Sequence, residues 1–165
     1  MKRAGLVLAF LLFVTGVPFA NASELSRGVA AFKHRKYEVA ATLLAPVADR
    51  GDAQAQAILC YLYTYGRGVP QNYAEAATWC LRAAAQGNAE GQYMLGLLYN
   101  KGQGVPEDFI QAHKWLNLAA SRAAGPKREF SYRIRDSVAS KMSPAQLSTA
   151  RRLAVEWRPV REDRH

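Results

Sequence analysis

Apolar residues along this chain recur at steps of three and four, the spacing of one helix face, and glycine and proline interrupt them at regular intervals. Leu25, Val29 and Phe32 set the face of a first helix within residues 24–35, and Tyr37 to Asp49 reads as its partner, with Pro46 expected to kink or loosen the last turn. From residue 52 onward the pattern occurs twice. Sliding residues 52–87 over 88–123 by 36 positions superimposes Ala53 on Ala89, Gln56 on Gln92, Leu59 on Leu95 and Tyr63 on Tyr99. The same shift superimposes Gly66-x-Gly68-Val69-Pro70 on Gly102-x-Gly104-Val105-Pro106, Trp79 on Trp115 and Ala83-Ala84 on Ala119-Ala120. A fixed period with this density of matches is the signature of a repeat array.

Each unit reads as two helices. Asp52 and Asn88 are good N-caps for the first, which runs to about Tyr65 or Lys101, where the Gly-x-Gly pairs end it. Asn72 with Glu75, and Asp108 with Gln111, stand three apart in the manner of a capping box at the start of the second. Tyr37, Ala40, Ala41 and Gly51 match Tyr73, Ala76, Ala77 and Gly87 at the same shift, so residues 23–51 form a degenerate earlier hairpin. Beyond the repeats, Phe130, Ile134, Val138 and Met142 make one apolar stripe, and Ser143-Pro144-Ala145-Gln146 starts a last helix whose buried side is Leu147, Ala150, Leu153, Ala154 and Trp157. Residues 124–157 therefore close the array as a capping pair. Residues 158–165 have charge but no apolar period and are expected to be disordered. The expectation is an all-α solenoid of about four helical hairpins.

The pattern A-x-x-Q-x-x-L-x-x-x-Y-x-x-G-x-G-V, followed by A-x-x-W-x-x-x-A-A, resembles the Sel1-like repeat, a relative of the tetratricopeptide repeat. The resemblance covers residues 52–123 closely and 24–51 loosely. It implies a right-handed α/α superhelix whose structural positions include Gly66, Gly68, Trp79, Gly102, Gly104 and Trp115, and a protein that serves as an interaction scaffold. Bacterial members are often exported.

Composition sharpens this in two places. Residues 1–22 carry Lys2 and Arg3, an apolar run from Leu6 to Val17, and Ala20-Asn21-Ala22 as a small-x-small cleavage pattern. They read as a signal peptide, which places the mature chain in the periplasm or outside the cell with no transmembrane segment after cleavage. The formal charge of +9 is uneven: Lys and Arg number 9 against 8 Asp and Glu over residues 23–121, and 11 against 5 over 122–165. Arg122, Lys127, Arg128, Arg133, Arg135, Arg151 and Arg152 make up most of that basic end. It is either a solvated surface or a contact for an anionic envelope component; an exported protein is not expected to meet nucleic acid.

No catalytic constellation emerges. His34, His113 and His165 are too scattered for metal-ligand spacing, no cofactor is implied, and His113 is expected on a solvated helix position. Ser-x-x-Lys does not occur, so the penicillin-binding and β-lactamase descriptions attached to some Sel1-like proteins are not transferred. Cys60 and Cys80 stand at one level of the first full hairpin if its turn centres near Val69-Pro70, and in an oxidising compartment they either bond or stay as two buried thiols. Cysteine-rich relatives tie their hairpins too, with cysteines nearer the open end.

A binding face follows from helix geometry. With Ala53, Gln56, Leu59 and Tyr63 packed, positions opposite them are Gln54, Ile58, Tyr61 and Tyr65, and in the second unit Glu90, Met94, Leu97 and Lys101. This stripe either holds a protein or peptide partner on the concave face or packs against adjacent repeats. The leading reading is a non-enzymatic adaptor; the alternative is a cell-wall accessory factor or hydrolase.

Overall fold

The computed structural model describes residues 18–160 and 162, with side chains from Ser23 onward. Most of the expected leader lies outside that range. Among the described residues there are eight helices and no strand: α1 (Pro18–Lys33), α2 (Tyr37–Asp49), α3 (Ala53–Tyr65), α4 (Tyr73–Ala85), α5 (Ala89–Lys101), α6 (Phe109–Arg122), α7 (Pro126–Ala139) and α8 (Pro144–Glu156). They stack as an all-α solenoid. α1 begins at Pro18 and runs unbroken through Ala20-Asn21-Ala22, whereas the sequence suggested a start near Glu24. Pro46 sits on the exposed side of α2, and the helix continues past it to Asp49.

The helix ends are fixed by the residues the repeat provides. Asp52 accepts from the Gln54 and Ala55 amides, Asn72 from Ala74 and Glu75, Asn88 from Gly91, and Asp108 from Gln111. Each satisfies donors that a helix start leaves open, typically worth about 1 kcal/mol. The reciprocal capping box forms at Ser143 and Gln146; Asn72 and Asp108 cap through their own side chains alone. Gly66 and Gly102 close α3 and α5 in the left-handed region at φ 62. Gly68 and Gly104 answer to a second constraint. Any Cβ there would overlap the backbone of Tyr37 and Glu38, or of Tyr73 and Ala74, so each loop lies directly on the start of the second helix of the hairpin before it.

Two buried features join the layers. Gln56 and Gln92 are fully buried, and their amides donate to the Ala48 and Ala84 carbonyls in the last turn of the preceding hairpin, at 3.0 and 3.2 Å. The same carbonyls also accept from the Gly51 and Gly87 amides, so the repeat's glutamine adds a second donor that ties each first helix to the C-terminal turn of the hairpin before it. Within each hairpin the two helices meet at one close crossing. Cys60 and Cys80 are bonded there, both fully buried, with Cα atoms 5.1 Å apart. One repeat later the same spot is Gly96 beneath Leu116, where an added Cβ would stand 2.7 Å from Leu116 Cγ. One hairpin earlier it is Gly28 beneath Leu44, with a clearance of 2.6 Å to Leu44 Cγ. Two hairpins use glycine under leucine, and the middle one uses a cystine. The Gly28–Leu44 pair escapes the 36-residue shift because the α1–α2 connection spans residues 34–36, four fewer than the 66–72 connection. Arg35 makes that tight turn at φ 58.

The C-terminal end departs from a fourth hairpin. α7 and α8 each pack on α6 rather than mainly on one another. Phe130, at one end of the apolar stripe, is 43% exposed, whereas Val138 is fully inside. Residues 158–160 and 162, of the 158–165 segment expected to be disordered, are described, and residues 161 and 163–165 lie outside the described residues. Trp157 lies edge-on to Trp115 at 6.1 Å beneath the Arg122 guanidinium, the Val160 amide donates to the Ala85 carbonyl at 2.9 Å, and Glu162 pairs with Arg82 at 2.8 Å. Trp157 was legible as the end of the last helix's buried side, whereas Val160 and Glu162 are held by single contacts that no periodicity reports.

Candidate functional site

Neighbouring first helices touch across the array, α1 with α3 and α3 with α5, while no comparable contact joins α2 to α4 or α4 to α6. The array therefore bends with its first helices inside, and their outward positions form the concave face. Of the eight positions expected there, Ile58 and Met94 turn inward, at 9% and 2% exposure, and belong to the core. The reason is rotational. Both sit about 40° from positions 54 and 90 around the helix, toward the packed side occupied by Ala55, Leu62, Gly91 and Leu98. Gln54, Tyr65 and Lys101 are exposed, and Tyr61, Glu90 and Leu97 are half-buried.

These residues join others that the stripe did not include. Phe32 on α1 meets Tyr61 edge-on at 5.3 Å, and Tyr61 meets Tyr65 at 4.7 Å. On the far side of Glu90, Tyr93 meets Phe130 of α7 at 5.9 Å. The result is an aromatic row crossing four helices, with Tyr65 at 48% and Phe130 at 43% exposure. The row ends in a groove of about 630 Å³ where α7 stands off from α5, lined by Ala89, Glu90, Tyr93, Pro126, Lys127, Phe130 and Arg133 among others. Glu90 and Lys127 form an ion pair at 2.8 Å on its rim, and the Arg133 guanidinium lies 5.2 Å over the Phe130 ring. Tyr93 and Phe130 had weak signals in the sequence. Tyr93 replaces Ala57 of the first unit, and Phe130 is the first apolar residue after the Gly125-Pro126 turn.

The face presents apolar rings, with polar tips on its tyrosines. Burial, with the Tyr65 and Glu90 charges adding to it, pushes the Tyr93 phenol up to about 12. Burial also raises Tyr65, helped by Tyr61, Glu90 and Tyr73. Both stay protonated at neutral pH, so each offers an apolar ring with a hydroxyl donor at its tip. No group of three His, Cys, Asp or Glu side chains that could hold a metal occurs among the described residues. His113 is buried at 3% exposure between α6 and the terminal helices, which corrects the solvated position expected for it. Its Nδ1 has no partner, and burial, reinforced by the Arg135 and Arg151 charges, lowers it to about 4. It is a neutral core residue.

The basic end is dispersed. Arg122 stacks on Trp157, Lys127 pairs with Glu90, Arg128 donates to the Ala123 carbonyl, Arg135 binds Asp136 and Asn117, and Arg152 pairs with Glu156. Trp115 is buried and Trp79 partly buried in the core, with Lys114 and Arg82 over their rings. No helix among the described residues is long and apolar enough to cross a membrane.

Comparison with known proteins agrees with this geometry. The family model of the Sel1 repeat matches residues 53–88 and 89–123. Among solved structures, the chain is similar to c5321, a protective antigen present in uropathogenic Escherichia coli strains displaying an SLR fold, with a TM-score of 0.75 and 26% identity over 83% of this chain. It is also similar to a Sel1 repeat protein from Oxalobacter formigenes, with a TM-score of 0.61 and 31% identity over 82% of this chain. The chain spans 29% of the first of these proteins and 54% of the second. A search of curated protein sequences finds no match.

Proposed function

Because the chain is a Sel1-repeat protein, and this fold commonly serves as a scaffold for protein–protein contacts, we propose that it is an exported adaptor that holds one segment of a protein partner across its concave face. The observation that carries this reading is the aromatic row from Phe32 to Phe130 and the groove at its end. Tyr65 and Phe130, open to solvent on α3 and α7, are of the residue types that serve interfaces as anchors, since aromatic rings bury much area with few rotatable bonds. A helix or extended segment laid along the row covers Tyr65 and Phe130 and places one large apolar side chain in the groove. Polar groups at its rim, Glu90, Lys127 and Arg133, set orientation.

Export rests on residues 1–22, and the buried cystine supports it because such bonds persist in oxidising compartments. Arg122, Lys127, Arg128, Arg133, Arg135 and Arg152 each have a local partner, which favours a solubilising role over a single anionic contact. The test is a cross-linking pull-down from the native compartment with Tyr65→Ala/Phe130→Ala beside the parent chain. Both side chains are exposed, so the double variant keeps its fold and loses the partner at least about tenfold, as loss of a hot-spot pair requires. Undiminished capture by the variant refutes the concave reading. N-terminal sequencing of the exported form, expected to begin at Ser23, tests the address.

A further inference from the structure

The tail after α8 occupies a site that the concave face does not use. The Glu162 carboxylate takes the Arg82 Nε at 3.0 and 3.2 Å, the Arg82 Nη2 at 2.8 Å and the Gln56 Nε2 at 2.9 Å. That is a guanidinium fork with an amide as a further donor, the arrangement that reads a carboxylate by shape as well as charge.

The receiving groups are held by the fold and not by the tail. Arg82 lies 4.8 Å over the Trp79 ring and donates to the Asp49 carbonyl at 3.2 Å. Gln56 is fully buried, donates to the Ala48 carbonyl and accepts from the Gln86 amide at 2.8 Å. The tail has far less hold. Among the described residues beyond Trp157, Glu162 apart, the tail is held to the repeats by Val160 N–H on the Ala85 carbonyl, Arg158 turns back to the Val155 and Trp157 carbonyls, and the side chains of residues 158–160 are exposed. Gly51 and Gly87, at φ 89 and 88, leave the trough open. A Cβ on Gly51 would stand 3.1 Å from Glu162 Cβ, and one on Gly87 3.7 Å from Pro159 Cβ. The receptor belongs to the middle hairpin alone, since 36 positions later Arg82 becomes Leu118 and Gln86 becomes Arg122.

We propose that this trough, between the α2–α3 and α4–α5 turns, is a second binding site, one for an extended peptide that carries a carboxylate side chain, and that residues 158–160 and 162 occupy it in the free protein as a displaceable internal ligand. The register follows from the tail: a backbone N–H to the Ala85 carbonyl, and a carboxylate side chain two residues later on Arg82 and Gln56. A tethered ligand acts at an effective concentration on the order of 1 mM, so a tail of about 100 μM intrinsic Kd weakens a competing free peptide on the order of tenfold.

The test uses the full chain and two labelled peptides, one with the sequence of residues 155–165 and one with Glu162→Gln. The Glu162→Gln protein is expected to bind the first peptide about tenfold more tightly than the parent protein does, and the second peptide at least tenfold more weakly than the first. Adding Arg82→Gln to that protein is expected to remove the difference between the peptides. Equal affinity of the parent and Glu162→Gln proteins, or equal binding of both peptides, overturns the proposal. Loss of the fold on Glu162→Gln overturns it too, because the tail is then part of the framework and not a ligand.

Discussion

Replacing the cystine by the packing its neighbours use separates two contributions that are otherwise fused at the middle crossing. The bond closes a loop across a sequence separation of 20, which the chain-entropy model values at about 3 kcal/mol. Cys60→Ala/Cys80→Ala loses this and also leaves a gap between α3 and α4, for a total of about 4 kcal/mol. Cys60→Gly/Cys80→Leu loses the same cross-link and adds about 1 kcal/mol for glycine inside a helix. It regains about 2 kcal/mol from a buried leucine that fills the crossing as Leu44 and Leu116 do, so it falls only about 2 kcal/mol below the oxidised parent. Cys80→Leu alone meets the side chain of residue 60 where glycine is needed, and overpacking of this kind costs about 1–3 kcal/mol more. Urea denaturation of the four proteins under oxidising conditions, compared at constant m, measures all of this. The expected order is parent, Gly/Leu, Ala/Ala, with Cys80→Leu well below Gly/Leu. A Gly/Leu protein no more stable than Ala/Ala, or a Cys80→Leu protein equal to Gly/Leu, refutes the equivalence of the three crossings.

His113 makes stability depend on pH in a defined window. Its folded-state pKa of about 4 lies below the ordinary value of 6.5, so between these the unfolded chain binds the extra proton. Its contribution is fully present above about pH 6.5, declines on acidification to about pH 4 by up to about 3 kcal/mol, and is flat below. His113→Leu is expected to remove that slope from a stability–pH profile measured by urea titration, and an unchanged slope counts against it. Gly104→Ala drives a Cβ into the Tyr73 backbone at φ 71, whereas Gly125→Ala, at φ 55, meets nothing within 4 Å. The second, at φ 55 and ψ −140, is expected to cost about 1–3 kcal/mol for backbone strain alone and the first at least about 2 kcal/mol more in thermal or urea unfolding; equal losses would mean the loop does not press on the preceding hairpin.

What the chain revealed before folding follows from how local each feature is. Helix ends and the crossing at Cys60 and Cys80 were legible because caps, glycines and pair positions act within one hairpin. The Gly28–Leu44 crossing was hidden by a connection four residues shorter than in the next hairpin, which removes α1 from the common register. The aromatic row was only half visible. Tyr61 and Tyr65 share a helix, but Phe32, Tyr93 and Phe130 join them through the bend of the stack, which depends on contacts between separate hairpins. Ile58 and Met94 were misplaced by the same cause, since a simple two-sided helix does not say which flank the next hairpin covers. His113 occupies the place of Ala77, and what buries it is the pair of terminal helices, which have no counterpart inside the repeat.

The concave row is tested most directly by photo-cross-linking from single positions in the native compartment. A benzophenone amino acid is placed at Tyr65, in the row, and in a second protein at Val155, an exposed position on α8 outside it. The expected result is one discrete cross-linked partner from position 65 and none from position 155. The same partner from both positions, or from position 155 alone, contradicts binding along the row.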